Sequence, residues 1–294
     1  DRGVVRKWIV PTIGRRRLAD LTPADVRKLR DAVTDAGNTT TTAAHAQRTL
    51  MTMLKAAVRE GLTVPPRVFL VDMPSKSVND RSAIPVDQAL AMLRVARERP
   101  DATRWVAALL QGMRQGEALG LTWECVNLDA GLLDVSWQLQ SLTKGHATPD
   151  RWEARHLVDG YWLTRPKTNA GQRLIPLVPW MRAALVEARD SWTPNPYGLV
   201  WVTGAGGPIS AAKDRAAWQQ IQREAGAAHP SGRLWHVHEA RHTTATMLLR
   251  AGVDRAIIEA ILGQAVLVKS YLHVGQDDTR KALEGLSGAL RLDG

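Results

Sequence analysis

Apolar positions recur at helical spacing along most of the chain, and at strand spacing only in a middle region. Leu21-Thr22-Pro23-Ala24-Asp25 predicts a helix start, with Thr22 as N-cap, Pro23 at the first helical position and Asp25 in the first turn. That helix is expected to run to about Asp35 and stop near Gly37-Asn38. A second helix is expected over roughly Thr40 to Glu60, with Leu50, Leu54 and Val58 stacked at i, i+4 and i+8 and Gly61 closing it. Helical patterning returns from Pro85-Val86-Asp87 through Arg99 and again from Ala102 to Gln111. After Pro179 it predicts helices at about 179–190, 211–225, 238–250 and 254–262. A last amphipathic helix is expected near 279–290, with Leu283, Leu286 and Leu290 on one side.

The middle region reads differently. Cys125-Val126-Asn127 and Leu132 to Trp137 predict two short strands around the turn Asp129-Ala130-Gly131. Tyr161 to Arg165 and Arg173 to Leu177 predict a second pair, joined by the segment from Pro166 to Gln172. Between them, Ser141 to Gly160 is polar and irregular, an expected surface excursion. A non-helical stretch from Thr63 to Ile84 carries Pro65, Pro66 and Pro74, and its later part, 72–81, is expected to be an interdomain linker. The fold class that follows is mainly α with a small antiparallel β-sheet (α+β). The expected layout is a helical domain, 1–71, a mixed domain, 82–276, and a tail helix within 277–294.

Composition narrows the partners. A length of 294 residues suits one large domain or two ordinary ones. No apolar run is long enough to span a membrane, so no membrane partner is expected. A net charge of +10 points toward a polyanion, although a basic surface without a specific partner has the same charge. Arg48, Lys55 and Arg59 lie off the apolar stripe of the second helix, where they either line a phosphate backbone or form solvated surface. The single cysteine, Cys125, excludes an internal disulfide and a cysteine-cluster metal site. It is expected to be a small buried hydrophobe in a reducing, cytoplasmic setting. The start at Asp1 rather than methionine predicts a trimmed natural N-terminus.

Four places carry potential chemistry. Arg114 sits between Gly112 and Gly116, and Glu117 at i+3 can hold its guanidinium as a rigid fork for two phosphate oxygens; the alternative is an ordinary surface ion pair. Lys167, in the turn between two predicted strands, can reach into a groove to protonate a leaving oxygen, or can be solvated surface. His238 and Arg241 are neighbours at helical spacing, with His242 at i+4 from His238. They suit proton shuttling beside phosphate charge, or a capped helix start with a packed histidine. Tyr271, one of three tyrosines, is a core or rim residue unless a base and cations make it a nucleophile.

Taken together and in chain order, these residues resemble the tyrosine recombinase (phage integrase) family. The matching residues are Arg114 with Glu117, Leu119 and Trp123, then Lys167 followed by Arg173-Leu174-Ile175-Pro176-Leu177. His238-Glu239-Ala240-Arg241-His242-Thr243, Leu262-Gly263 and Tyr271-Leu272-His273 complete the set. The resemblance spans essentially the whole chain. It implies a helical core-DNA-binding domain and a mixed α+β catalytic domain clamping the duplex, without the family's optional N-terminal arm-binding domain.

The activity implied is that of a site-specific DNA recombinase, an integrase of phage or mobile-element type in a bacterial or phage-infected cytoplasm. Tyr271 would attack a DNA phosphate to form a 3′-phosphotyrosyl bond and free a 5′-hydroxyl. Arg114 and Arg241 would stabilise charge on the non-bridging oxygens. Lys167 would be the general acid and His238 the general base. No metal and no nucleotide cofactor are implied, because the guanidiniums supply positive charge and the covalent link preserves the bond energy. The implied partners are double-stranded attachment or recombination sites, three further copies of the chain in a homotetramer that exchanges C-terminal segments, and, in some members, an accessory directionality factor. The helix near 279–290 is either the exchanged segment or a helix packed within its own chain. Two departures stand out. Gln264 follows Leu262-Gly263 where the family usually has histidine or tryptophan, and the interval from Gln264 to Tyr271 is shorter than usual. Gln264 can still donate a hydrogen bond to phosphate but cannot titrate. The alternatives are a type IB topoisomerase and a catalytically inactive, sequence-specific DNA-binding protein.

Overall fold

In the computed structural model, which describes residues 2–75, 81–142, 153–166, 172–190, 192, 194–263 and 276–289, the chain divides into two units, Asp1–Asp80 and Arg81–Gly294.

The first unit is helical. α1 (Arg2–Val4) and α2 (Val10–Ile13) flank a π-helical turn, Val5–Ile9, whose Ile9 is buried with Ile13. α3 (Pro23–Asp35) starts as the sequence predicts. The Thr22 hydroxyl accepts from the Asp25 N–H at 3.3 Å, and the Asp25 carboxylate accepts from the Thr22 N–H at 2.9 Å. α4 (Thr40–Arg59) packs on α3, and Val26, Leu29 and Val33 share one core with Ala43, Ala46, Leu50 and Leu54. Val58 departs from the expected stripe and is 46% exposed. From Lys55 onward α4 buries no residue, so its last turn extends beyond the core and the apolar spacing has nothing to pack against. Buried Gln47 donates to the carbonyls of Val71 and Asp72, fastening the segment after the 3-10 turn Pro66–Leu70 to α4.

The second unit combines helices with a short β region. α5 (Val86–Arg97), α6 (Ala102–Leu109) and α7 (Gln115–Leu119) lead into it. α8 (Pro179–Asp190), α9 (Ala211–Glu224), α10 (Val237–Arg250), α11 (Arg255–Leu262) and α12 (Gln276–Ala289) follow. Trp105 and Trp218 stack with ring centroids 5.5 Å apart, and Trp235 is buried beside them with its carbonyl accepting from the Trp218 indole. The tryptophans thus supply core bulk that phenylalanine often provides. Cys125 is a buried free thiol, and burial raises its pKa. Leu283, Ala282 and Thr279 of α12 are buried where this helix meets β6 (Arg173–Pro176), α11 and α10 of the same chain. Leu290 lies outside the described residues. Among the described residues no helix is long and apolar enough to cross a membrane.

The β region corrects the expected pairing. β1 (Val126–Asn127) and β2 (Leu132–Val135) pair antiparallel as predicted, but β6 pairs with β2. Leu133 faces Ile175 in that register and both are fully buried, which holds the two strands together. β5 (Tyr161–Thr164) instead lies between β3 (Gln138–Ser141) and β4 (Ala154–Val158) in a separate three-stranded sheet. β4 falls inside the stretch expected to be an irregular excursion. β3 and β4 contain no buried residue, so neither shows the alternation that marks a half-buried strand.

Candidate active site

Arg114 occupies the N-cap position of α7, in extended backbone. The Glu117 carboxylate accepts the Arg114 backbone N–H at 2.8 Å and its Nη1 at 2.6 Å. One carboxylate therefore caps the helix and orients the guanidinium. The Arg114 side chain keeps 38% of its surface open to solvent, whereas Glu117 keeps 2%. An anchored but accessible fork suits an incoming anion.

Arg173, on β6, completes the anchor. Its Nη1 and Nη2 donate to the two oxygens of Glu117 at 3.2 and 3.0 Å, and its Nε donates to the carbonyl of Ile261 at 2.7 Å. Burial alone would raise the Glu117 pKa; the hydrogen bonds and charge of Arg173, then those of Arg114, hold it below the usual carboxylate range.

Arg241 projects from α10 into the interior. It donates to the carbonyl of Gly112 at 2.5 Å and to the carbonyl of Leu262. Burial, followed by the nearby charges of Arg114 and Arg173, lowers its pKa to about 9, so it stays a cation at neutral pH. Gly112 has φ +60, and an added Cβ would meet the Leu262 side chain at 2.5 Å. Glycine there lets the loop before Arg114 close onto α11.

His238 lies on the same helix as Arg241 but at the exposed rim. Its ring is 5.1 Å from that of His242. Partial desolvation, then the positive surroundings of His242, Arg241, Arg81 and Arg114, push its pKa below the ordinary imidazole value, which favours the neutral, proton-accepting form. Between them, fully buried Glu239 fixes the start of α10. It accepts the His236 N–H at 2.7 Å, the Ser82 N–H at 3.2 Å and two prongs of Arg233 at 2.9 and 2.8 Å.

The structure thus brings Arg114, Glu117 and Arg241 onto one framework, with His238 on the helix that carries Arg241. Lys167, Gln264 and Tyr271 lie outside the described residues. Arg48, Lys55 and Arg59 belong to the first unit, where they share an exposed stripe of α4 with Thr41, His45 and Thr52. Sequence reasoning quoted Arg173 and Glu239 within motifs but assigned neither a contact. For Arg173 the available signal was its place at the head of the apolar run Leu174-Ile175-Pro176-Leu177, since a charge buried with such a run requires a partner. Among the described residues no group of three or more His, Cys, Asp and Glu side chains is placed to hold a metal ion.

Residues 83–276 match the family model described as the phage integrase family. The chain belongs to the phage integrase family. Its members are tyrosine site-specific recombinases, and this chain is one. An integrase of Saccharopolyspora erythraea is 26% identical, in an alignment spanning 92% of this chain and 72% of that one. The Tn1549 transposon integrase, solved in complex with transposon right end DNA, superposes with a TM-score of 0.74 at 19% identity, covering 97% of this chain and 92% of that one. A lambda integrase, solved as a tetramer bound to a Holliday junction, superposes with a TM-score of 0.67 at 15% identity, covering 96% and 70%. These two superpositions establish the integrase fold.

Proposed function

We propose that this integrase cleaves and rejoins DNA through a covalent protein–DNA intermediate, with Tyr271 as nucleophile. The phenolic oxygen attacks phosphorus and the phosphorus–O5′ bond breaks, leaving a 3′-phosphotyrosyl linkage and a 5′-hydroxyl. The phenol proton passes to His238, and Lys167 supplies a proton to the departing O5′. Arg114 and Arg241 hold the two non-bridging oxygens as charge builds on them, and Gln264 donates a further hydrogen bond. Attack by a 5′-hydroxyl on the phosphotyrosyl bond reverses the step, so each bond broken is replaced by one of similar energy. The observation that carries this reading is the anchoring of Arg114 and Arg241, two cations on one framework, with a neutral-favouring histidine on the helix of the second.

The substrate is double-stranded DNA carrying attachment or recombination sites. The stripe bearing Arg48, Lys55 and Arg59 contacts its backbone, and the active assembly is a homotetramer.

The test uses a nicked duplex selected from a random-sequence pool by covalent capture on the wild-type chain. A denaturant-resistant adduct that disappears in Tyr271→Phe is the expected result. A wild-type chain that binds DNA but captures none overturns the reading. Relaxation of plasmids lacking any selected site would instead indicate a topoisomerase.

A further inference from the structure

Three consecutive carbonyls at the end of α11 each accept from a different arginine. Ile261 accepts from Arg173 Nε at 2.7 Å, Leu262 from Arg241 Nη2, and Gly263 from Arg114 Nη2 at 3.2 Å. The last carbonyls of a helix have no intrahelical partner and carry the negative end of its dipole. Here guanidiniums satisfy them. Gly263 adopts φ 57 and ψ 47, the left-handed conformation that ends the helix and brings its own carbonyl into the row.

Two of these arginines are the cations assigned to the scissile phosphate. The third, Arg173, has only 7% of its side chain exposed. It spends Nη1 and Nη2 on the carboxylate that also holds the Arg114 backbone and Nη1, and it spends Nε on α11. Arg114 is therefore held at two points, Glu117 and Gly263, and Arg173 binds the structures that carry both. Without it, Glu117 would be a buried carboxylate balanced by Arg114 alone, free to draw that guanidinium inward, and the end of α11 would lose its tie to β6.

We propose that Arg173 is a positioning residue for DNA cleavage, fixing Glu117 and the end of α11 together and so setting the direction in which Arg114 presents its guanidinium. A lysine cannot replace it, since one ammonium lacks the planar fork and side donor that reach both partners. The inference rests on the assignment of Arg114 to the scissile phosphate.

The experiment compares wild type, Arg173→Met and Arg173→Lys on the covalently selected nicked duplex. Each is measured for thermal melting, for DNA affinity and for single-turnover adduct formation at saturating DNA. The cleavage step is repeated on the same duplex with a methylphosphonate at the scissile position, which removes one negative charge from the group that Arg114 neutralises. Arg173→Met should cleave about 10²-fold more slowly, with affinity little changed, and its deficit should shrink on the methylphosphonate. Arg173→Lys should show the same pattern and serves alone if Arg173→Met does not fold. No deficit, or an equal deficit on both substrates, overturns the positioning role. Failure of the wild type to capture any duplex overturns the cleavage reading itself, and this inference with it.

Discussion

Arg104 and Asp214, 110 positions apart, form a two-pronged ion pair at 3.0 and 2.9 Å with 1% and 2% of their side chains exposed. The pair joins α6 to α9, and the same carboxylate accepts from Gln115 at 2.6 Å, next to Arg114. Removing one partner strands a buried charge. Arg104→Ala is expected to cost about 3–5 kcal/mol, read from urea unfolding of the second unit's tryptophans. Arg104→Met with Asp214→Leu should recover part of that loss, because replacing both charges strands neither. A single variant as stable as wild type would contradict the assignment.

Glu117 gives stability a pH signature. Its folded-state pKa is depressed, so its contribution is complete above the ordinary carboxylate value and lost as pH falls through the depressed one. The difference in urea midpoint between wild type and Glu117→Gln should stay constant from neutrality to about pH 4.3 and close below it. A gap that closes well above that pH would show that the arginines do not hold this carboxylate ionised.

His238 sets the expected acid limb of cleavage. With its pKa pushed down, the imidazole loses its proton below the ordinary value, so adduct formation should rise with pH through a midpoint below about pH 6.5. His238→Gln should remove that limb and lower the plateau by about 10²- to 10⁴-fold. Persistence of the limb in the variant would assign the titration to another group.

The exposed stripe of α4 predicts a salt effect. If Arg48, Lys55 and Arg59 each neutralise a phosphate, changing any one to alanine should reduce the slope of log affinity against log salt by about 1. The loss should be similar across DNA sequences. An unchanged slope in all three variants would return the stripe to plain solvated surface.

Elements with a strong local signature were legible in the chain alone. Thr22, Pro23 and Asp25 start α3 because a cap needs only residues three apart. The helix bearing His238 and Arg241 is within a residue of its expected start, and Cys125 is buried as expected. The pairing of β1 with β2 was legible, but that of β5 and β6 was not. β3 and β4 bury no residue and so lack a periodic signal, while β6 chose β2 through the meeting of Leu133 and Ile175.

The sequence by itself determined which chemical groups are present, and in an order that resembles the family to which residues 83–276 match. It also determined the short-range devices, such as the bond between Arg114 and Glu117, because three residues span one helical turn. Only the tertiary structure decided what holds those groups still. Arg173 reaches Glu117 across 56 positions, and Arg114 reaches Gly263 across 149. Such contacts depend on where a helix ends in space and on which buried charges then find each other, and no local pattern encodes either.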